Sequence, residues 1–331
     1  MAQKQAPGAS DATVGKAAAA ADRFFYGGQA VIEGVMIRGR RFLCVAVRRP
    51  NGQLTALVTP LSRWATGAVR RIPLLRGTLV LAETLVLGMK ALSYSANASL
   101  EGEEKEELGR WSIGIMLALS LAFAVVLFFL FPLWAVQLLD DAIGSDFLSN
   151  GLEGLIRLGL FLAYVWAIGL SREIRRVFAY HGAEHMTVKA YEAREPLAVA
   201  TVRRYSTAHP RCGTAFLLVV MVIAILVFAL LGRPSMLWRV LSRVILIPVI
   251  AGLAYEVIRF SGAHQGSLLV RLLMAPSLLL QALTTRRPDD GQIEVAIHAM
   301  ETALAADEGR IPTDAGQPTA APDVRPTPGA P

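Results

Sequence analysis

The chain has 331 residues, of which 54% are hydrophobic and only 18% charged. Soluble domains carry about 25% charged residues, so this balance argues against an ordinary soluble fold and points toward lipid. The formal net charge of +7 does not mark a nucleic-acid binder, because the arginines gather beside apolar segments, as in the loops of membrane proteins. With only two cysteines, Cys44 and Cys212, a disulfide framework is excluded.

In chain order, residues 1–22 are rich in Ala, Gln, Ser and Lys without an apolar run, and are expected to form a flexible tail and not a secretory signal. Residues 23–62 are expected to build a small cytoplasmic β element. Short apolar runs alternate with glycines from Phe24 to Gly39, and Asn51-Gly52 stands between Phe42–Val47 and Leu54–Val58, a strong hairpin signal. Residues 63–110 read as amphipathic or interfacial helices followed by an acidic connector, Glu101–Gly109.

Residues 111–283 are the expected transmembrane domain. About 20 apolar residues cross a hydrocarbon core of about 30 Å. Trp111–Leu139 and Gly213–Gly232 satisfy this without internal charge. Gly151–Leu170, with Glu153 and Arg157, and Val240–Ile258, with Arg243 and Glu256, complete four expected spans, their charges placed to reach the headgroups. Leu79–Met89 and Leu272–Leu283 are short or interrupted, and are expected to be interfacial, re-entrant or packed helices. Residues 284–306 contain an amphipathic helix with Ile293, Ala296, Ile297, Met300 and Leu304 on one stripe, and the Pro/Ala-rich residues 307–331 read as a disordered tail.

The fold class is thus a mainly α membrane protein with about four transmembrane helices, further amphipathic or re-entrant helices and a small β-hairpin element near the N-terminus. Arginines concentrate before the first span and between the second and third, while Asp140, Asp141 and Asp146 follow the first. The positive-inside tendency then places both termini and the Arg172–Arg211 loop in the cytoplasm of a multi-pass plasma-membrane protein.

The chemistry-bearing residues collect in that loop. Residues 171–192 are expected to continue as a helix out of the second span, with Gly182 its weak point. On a helix His181 and His185, four apart, face the same way, the spacing with which two imidazoles grip one metal ion. The order His-x-x-Glu-His is that of the inverted zinc-peptidase motif, in which the glutamate, here Glu184, polarises a metal-bound water. Glu192 returns to nearly the same stripe, and His209-Pro210-Arg211-Cys212-Gly213 brings another imidazole and a thiol to the start of the third span. The expected site is therefore a divalent metal, zinc from its N and S donors, held by His181, His185, His209 and Cys212 with Glu184 as general base. Four ligands from this set would equally close a structural site, and interfacial His and Glu side chains that only hydrogen-bond or cap helices are the plainer reading of the spacing alone.

Outside the loop, Glu33 either reaches the site or faces solvent, and Glu256 is expected to pair with Arg259. His264 is a lesser candidate for approaching the cluster, His298 lies off the apolar stripe and is expected to be solvated, and Cys44 is expected to be a small core residue.

Four blocks carry a resemblance: Gly27–Met36, Tyr180–His185, His209–Thr214, and Pro276 with Leu283–Thr285 and Gln292–Ile297. With these the chain resembles the YqhQ-like family of bacterial polytopic membrane proteins, a domain of unknown function described as predicted metal-dependent enzymes. The resemblance implies a membrane protein with a metal, and no substrate. The expected function is a zinc-dependent hydrolase acting on a peptide or lipid-linked substrate at the cytoplasmic membrane face. The alternative is a scaffolding membrane protein with a structural metal or none.

Overall fold

The computed structural model describes residues 24–61, 72–99, 110–232, 235–264, 266–310 and 318–320. The expected N-terminal tail, the acidic connector and most of the C-terminal tail lie outside the described residues.

Four antiparallel strands form the β element: β1 (Gly27–Val31), β2 (Gly34–Arg38), β3 (Phe42–Arg48) and β4 (Leu54–Pro60). The expected hairpin is present, with Arg48 opposite Leu54 and Gly52 in the left-handed region at φ 85°. A left-handed residue without strain is what glycine supplies to such a turn. The C-terminal segment adds a short strand, β5 (Pro318–Ala320), along β4, so the expected disordered tail contributes one paired stretch.

The sheet is covered on both faces, which explains why β3 reads as an unbroken apolar run instead of an alternation. Leu43, Val45 and Val47 pack with Leu87, Ala91 and Ala98 of α1 (Leu75–Ser99). Cys44 and Ala46 point the other way, into a core shared with α5 (Arg172–Glu192) and α10 (Asp290–Asp307). Cys44 is wholly buried, as expected, and burial pushes its thiol up to about 12.

Between these elements run α2 (Arg110–Val125), a π-helical turn (Val126–Leu130), α3 (Phe131–Gln137), α4 (Asp146–Ile168), α6 (Gly213–Leu230), α7 (Met236–Ile245), α8 (Ile247–Ala263) and α9 (Leu268–Thr284). Among the described residues, four stretches, Leu75–Ser99, Gly114–Gln137, Asp146–Ile168 and Gly213–Leu230, are long and apolar enough to cross a membrane. Three coincide with expected spans. The fourth expected span is instead the pair α7–α8, bent by 45°, where Pro248 opens the second helix. The segment around Leu79–Met89 is longer than expected: α1 runs unbroken for 25 residues, and its second half lines the sheet. α6 is central, packing against α4, α8 and α9.

The charges inside the expected spans do not reach outward. Glu153, Arg157 and Arg243 are buried together, with Glu153 2.5 Å from Arg157 and 2.6 Å from Arg243. Pairing inside the bundle replaces the expected solvation at the headgroups, and buried charges require such partners. Glu256 pairs with Arg76, not Arg259: its Oε1 accepts from Arg76 Nε at 2.7 Å.

Candidate metal centre

α5 does not continue the second span. α4 ends at Ile168, and a new helix begins after Ser171, whose hydroxyl accepts the Ile174 N–H. Freed from the direction of α4, α5 lies along the sheet and α10, burying Tyr180, Ala183 and Met186 in the core it shares with them. Gly182 does not break it. A Cβ there would stand 2.1 Å from the Arg286 carbonyl oxygen, so the glycine permits close approach of the segment that follows α9. That segment is tied down by the Arg286 N–H donating to the Phe178 carbonyl at 2.9 Å.

His181 and His185 face the same way, their ring centroids 4.4 Å apart. Each spends its Nδ1 on the backbone: His181 donates to the Thr284 carbonyl at 2.9 Å, and His185 to the Thr207 carbonyl. An Nδ1–H bond to a carbonyl fixes the tautomer and turns the Nε2 lone pair to the opposite side, the arrangement that orients metal-ligating imidazoles. Cys212 meets them there, its Sγ 3.2 Å from His181 Nε2. It is the N-cap of α6 and accepts the Thr214 N–H at 3.4 Å.

Among the described residues, His181, His185 and Cys212 form the group whose ligand atoms all lie within 4.8 Å of one another. A tetrahedral zinc with bonds of about 2.0–2.3 Å spaces its donors by roughly 3.3–3.7 Å, so small side-chain adjustments fit the three to one ion. Burial holds the His185 imidazole below its ordinary pKa, against a contact with Cys212 that works the other way. The neutral ring is the ligand form.

Glu184 lies beside this group. Its carboxylate is 3.5 Å from His185 Nε2 and almost fully buried. Burial raises its pKa, opposed by His181, His209 and the Gly28 N–H. Gly28 belongs to the site for that reason, since a Cβ there would stand 2.2 Å from the Met36 carbonyl oxygen and 3.1 Å from Glu184 Cγ.

His209 stands next to the three donors, not among them. Its ring centroid is 5.5 Å from that of His185, and its Nε2 is 3.7 Å from Glu192 with no hydrogen bond. Its own backbone is gripped by Gln281 of α9. Glu192 also pairs with Arg211, and although burial works against its charge, His209 and Arg211 hold its carboxyl below the usual range. Arg211 in turn lies over the Phe25 ring at 3.9 Å, and this layer forms the wall of a groove of about 800 Å³ lined also by Arg40, Arg194 and Glu195.

The other sequence candidates lie elsewhere. Glu33, at φ 51°, accepts from Arg176 at 2.6 Å and from the Tyr180 hydroxyl at 3.2 Å. His264 is exposed and stacked on Phe260. His298 corrects the solvated expectation: it is 6% exposed, because α10 is enclosed by the sheet on one side and α5 on the other. Sequence reasoning missed Gln281, Gly28 and the carbonyls of Thr207 and Thr284. Gly28 and Thr284 fall inside the blocks that carry the resemblance, Gly27–Met36 and Leu283–Thr285, and Gln281 shows as a glutamine inside an apolar run, but none of these signals gives a role.

The family described as "Protein of unknown function (DUF1385)" matches residues 72–306. The chain is 34% identical over 292 residues to "Uncharacterized protein YqhQ" of Bacillus subtilis (strain 168), a match covering 84% of this chain and 92% of that protein. No solved structure matches it. The matched span contains α5, the His209–Cys212 loop and α9, the elements that bring the three donors and their carbonyl anchors together, and on this extent of likeness the chain belongs to the DUF1385 family.

Proposed function

We propose that His181, His185 and Cys212 hold one zinc ion and that the protein is a membrane-bound zinc-dependent hydrolase, its site at the cytoplasmic face, acting on a peptide or lipid-linked substrate. The observation that carries the reading is the convergence of two anchored imidazoles and a thiol with a buried carboxylate 3.5 Å from one of them. Zinc at such a site supplies a water acidified toward neutral pH and a Lewis acid for a carbonyl or phosphoryl oxygen. Glu184, its proton affinity raised by burial, accepts the proton from the attacking water and returns it to the leaving group. His209, its Nε2 3.7 Å from the Glu192 carboxylate, steadies the charge of Glu192. The arginine-rich segment between α4 and α6 supports the cytoplasmic placement.

One observation favours a second reading. The His209 ring centroid is 5.5 Å from that of His185, and a site closed by His209 as fourth donor would be structural.

The experiment is metal analysis of the purified full-length protein. One zinc per chain is expected, lost in His181→Ala, His185→Ala and Cys212→Ser and kept in Glu184→Gln. Cobalt in place of zinc separates the two readings: an open site gives a visible spectrum that changes with pH and is altered in Glu184→Gln, whereas a site closed by His209 gives a pH-independent spectrum and loses cobalt in His209→Ala. Protein without stoichiometric zinc, unaffected by the histidine substitutions, overturns both.

A further inference from the structure

The loop Pro210–Cys212 has a second side. Opposite the polar groove, Pro210 also lines a cavity of about 520 Å³ formed by α6, α8 and α9, within the size range of small-molecule sites. Its wall includes Ala215 of α6, Gly262 of α8, and Leu272, Ala275 and Leu278 of α9. The cavity is open on the α8 side, where a Cβ at Gly262 would meet nothing within 4 Å.

Ser261, Ser277 and Arg271 interrupt this apolar wall. Arg271 also lines the cavity, and no carboxylate pairs with its exposed guanidinium among the described residues. Pro276 sits inside α9; lacking an N–H, it leaves the Leu272 carbonyl without its helical donor. An apolar slot between bilayer-compatible helices, with one cation and no acid at its edge, is the complement of an acyl chain that ends in an anionic head.

We propose that this cavity binds a single-chain anionic lipid, the acyl chain between α6, α8 and α9 and the head charge on Arg271. The site goes beyond the metal reading, and neither depends on the other. An acyl chain fits better than a free anion because Arg271 alone is charged there, and one exposed guanidinium holds an ion only weakly.

The test uses the full-length protein in a non-ionic detergent and two photoreactive probes, palmitic acid carrying a diazirine on its chain and the corresponding palmityl alcohol. Labelling by the acid is expected to map to residues 268–278 and 210–215, to be competed by unlabelled palmitate, and to vanish in Gly262→Phe, which fills the slot. Arg271→Gln is expected to weaken labelling by the acid about fivefold, the scale of one exposed charge pair, and to leave the alcohol unchanged. Zinc content and unfolding temperature in each variant report folding and the metal site separately. Labelling spread evenly over the outer faces of α2 and α6 without competition by palmitate in the wild-type protein overturns the proposal. So does a folded Gly262→Phe labelled like the wild type, or an Arg271→Gln that affects both probes alike.

Discussion

Gln281 holds the His209 peptide from both sides. Its Oε1 accepts the His209 N–H and its Nε2 donates to the His209 carbonyl, each at 2.8 Å, with the glutamine 1% exposed. A side chain 72 residues away thus completes the backbone hydrogen bonds of a loop that has no strand or helix to do so. Truncation in Gln281→Ala leaves the buried His209 N–H unpaired, at about 1–3 kcal/mol, and its carbonyl with the Cys212 N–H alone at 3.3 Å. The expected result is a lower unfolding temperature and weaker zinc retention, with Gln281→Glu intermediate because it keeps the acceptor and loses the donor. Chelator competition against the purified variants reads both, and wild-type zinc retention in a folded Gln281→Ala counts against a positioning role.

Gly182→Ala sets helix propensity against packing. Alanine favours a helix interior over glycine by about 1 kcal/mol, but here its Cβ would stand 2.1 Å from the Arg286 carbonyl oxygen. Overpacking of this kind costs about 1–3 kcal/mol, and backbone is the obstructing atom. Net destabilisation is expected in thermal unfolding. Zinc affinity should fall with it, since the displaced segment adjoins Thr284, whose carbonyl anchors His181.

Inside the helical bundle, Glu153 is the shared acceptor for Arg157 and Arg243. Removing its charge in Glu153→Gln takes the carboxylate away from three buried guanidinium groups, Arg157, Arg243 and, at 3.8 Å, Arg239. Breaking a buried pair from one side costs about 3–5 kcal/mol, so this variant should be the least stable of the set by thermal inactivation in detergent. Glu294→Gln is the control: its pair with Arg48 is half exposed and is worth under about 1 kcal/mol.

Burial depresses the pKa of His298 below the ordinary histidine value. The unfolded chain then binds more protons than the folded one between the lowered pKa and about 6.5, and stability rises with pH in that window. His298 therefore contributes no penalty above pH 6.5 and an increasing one as pH falls below it, by at most about 1.4 kcal/mol per pH unit. Denaturant unfolding at pH 7.5 and 5.5 should show a smaller difference in His298→Leu than in the wild type; equal differences would mean that His298 titrates normally.

Much of the site was legible because it is local. Two histidines four apart need only a helix to face the same way, and Asn51-Gly52 between apolar runs needs only turn sterics to become a hairpin. The bilayer-scale helices Gly114–Gln137, Asp146–Ile168 and Gly213–Leu230 follow from length and side-chain polarity alone. α1 was less legible, since Glu83 interrupts its apolar run; the interruption disappears once Arg38 pairs with Glu83 at 2.9 Å. His298 was misread for a related reason. A single apolar stripe predicts one buried face, while α10 meets the sheet and α5 at once.

By itself the sequence determined the helical, lipid-compatible class, the hairpin, and the presence of nitrogen, sulfur and carboxylate donors near one another along the chain. Each follows from a residue's own chemistry or from neighbours within a few turns. Only the tertiary structure decided that Cys212 joins the two histidines while His209 stays beside them, and that Gln281 and the Thr284 carbonyl from α9 set their positions. Such choices rest on contacts between residues tens to hundreds of positions apart, whose geometry depends on how α5, α6, α9 and the sheet pack and not on the composition of any one of them.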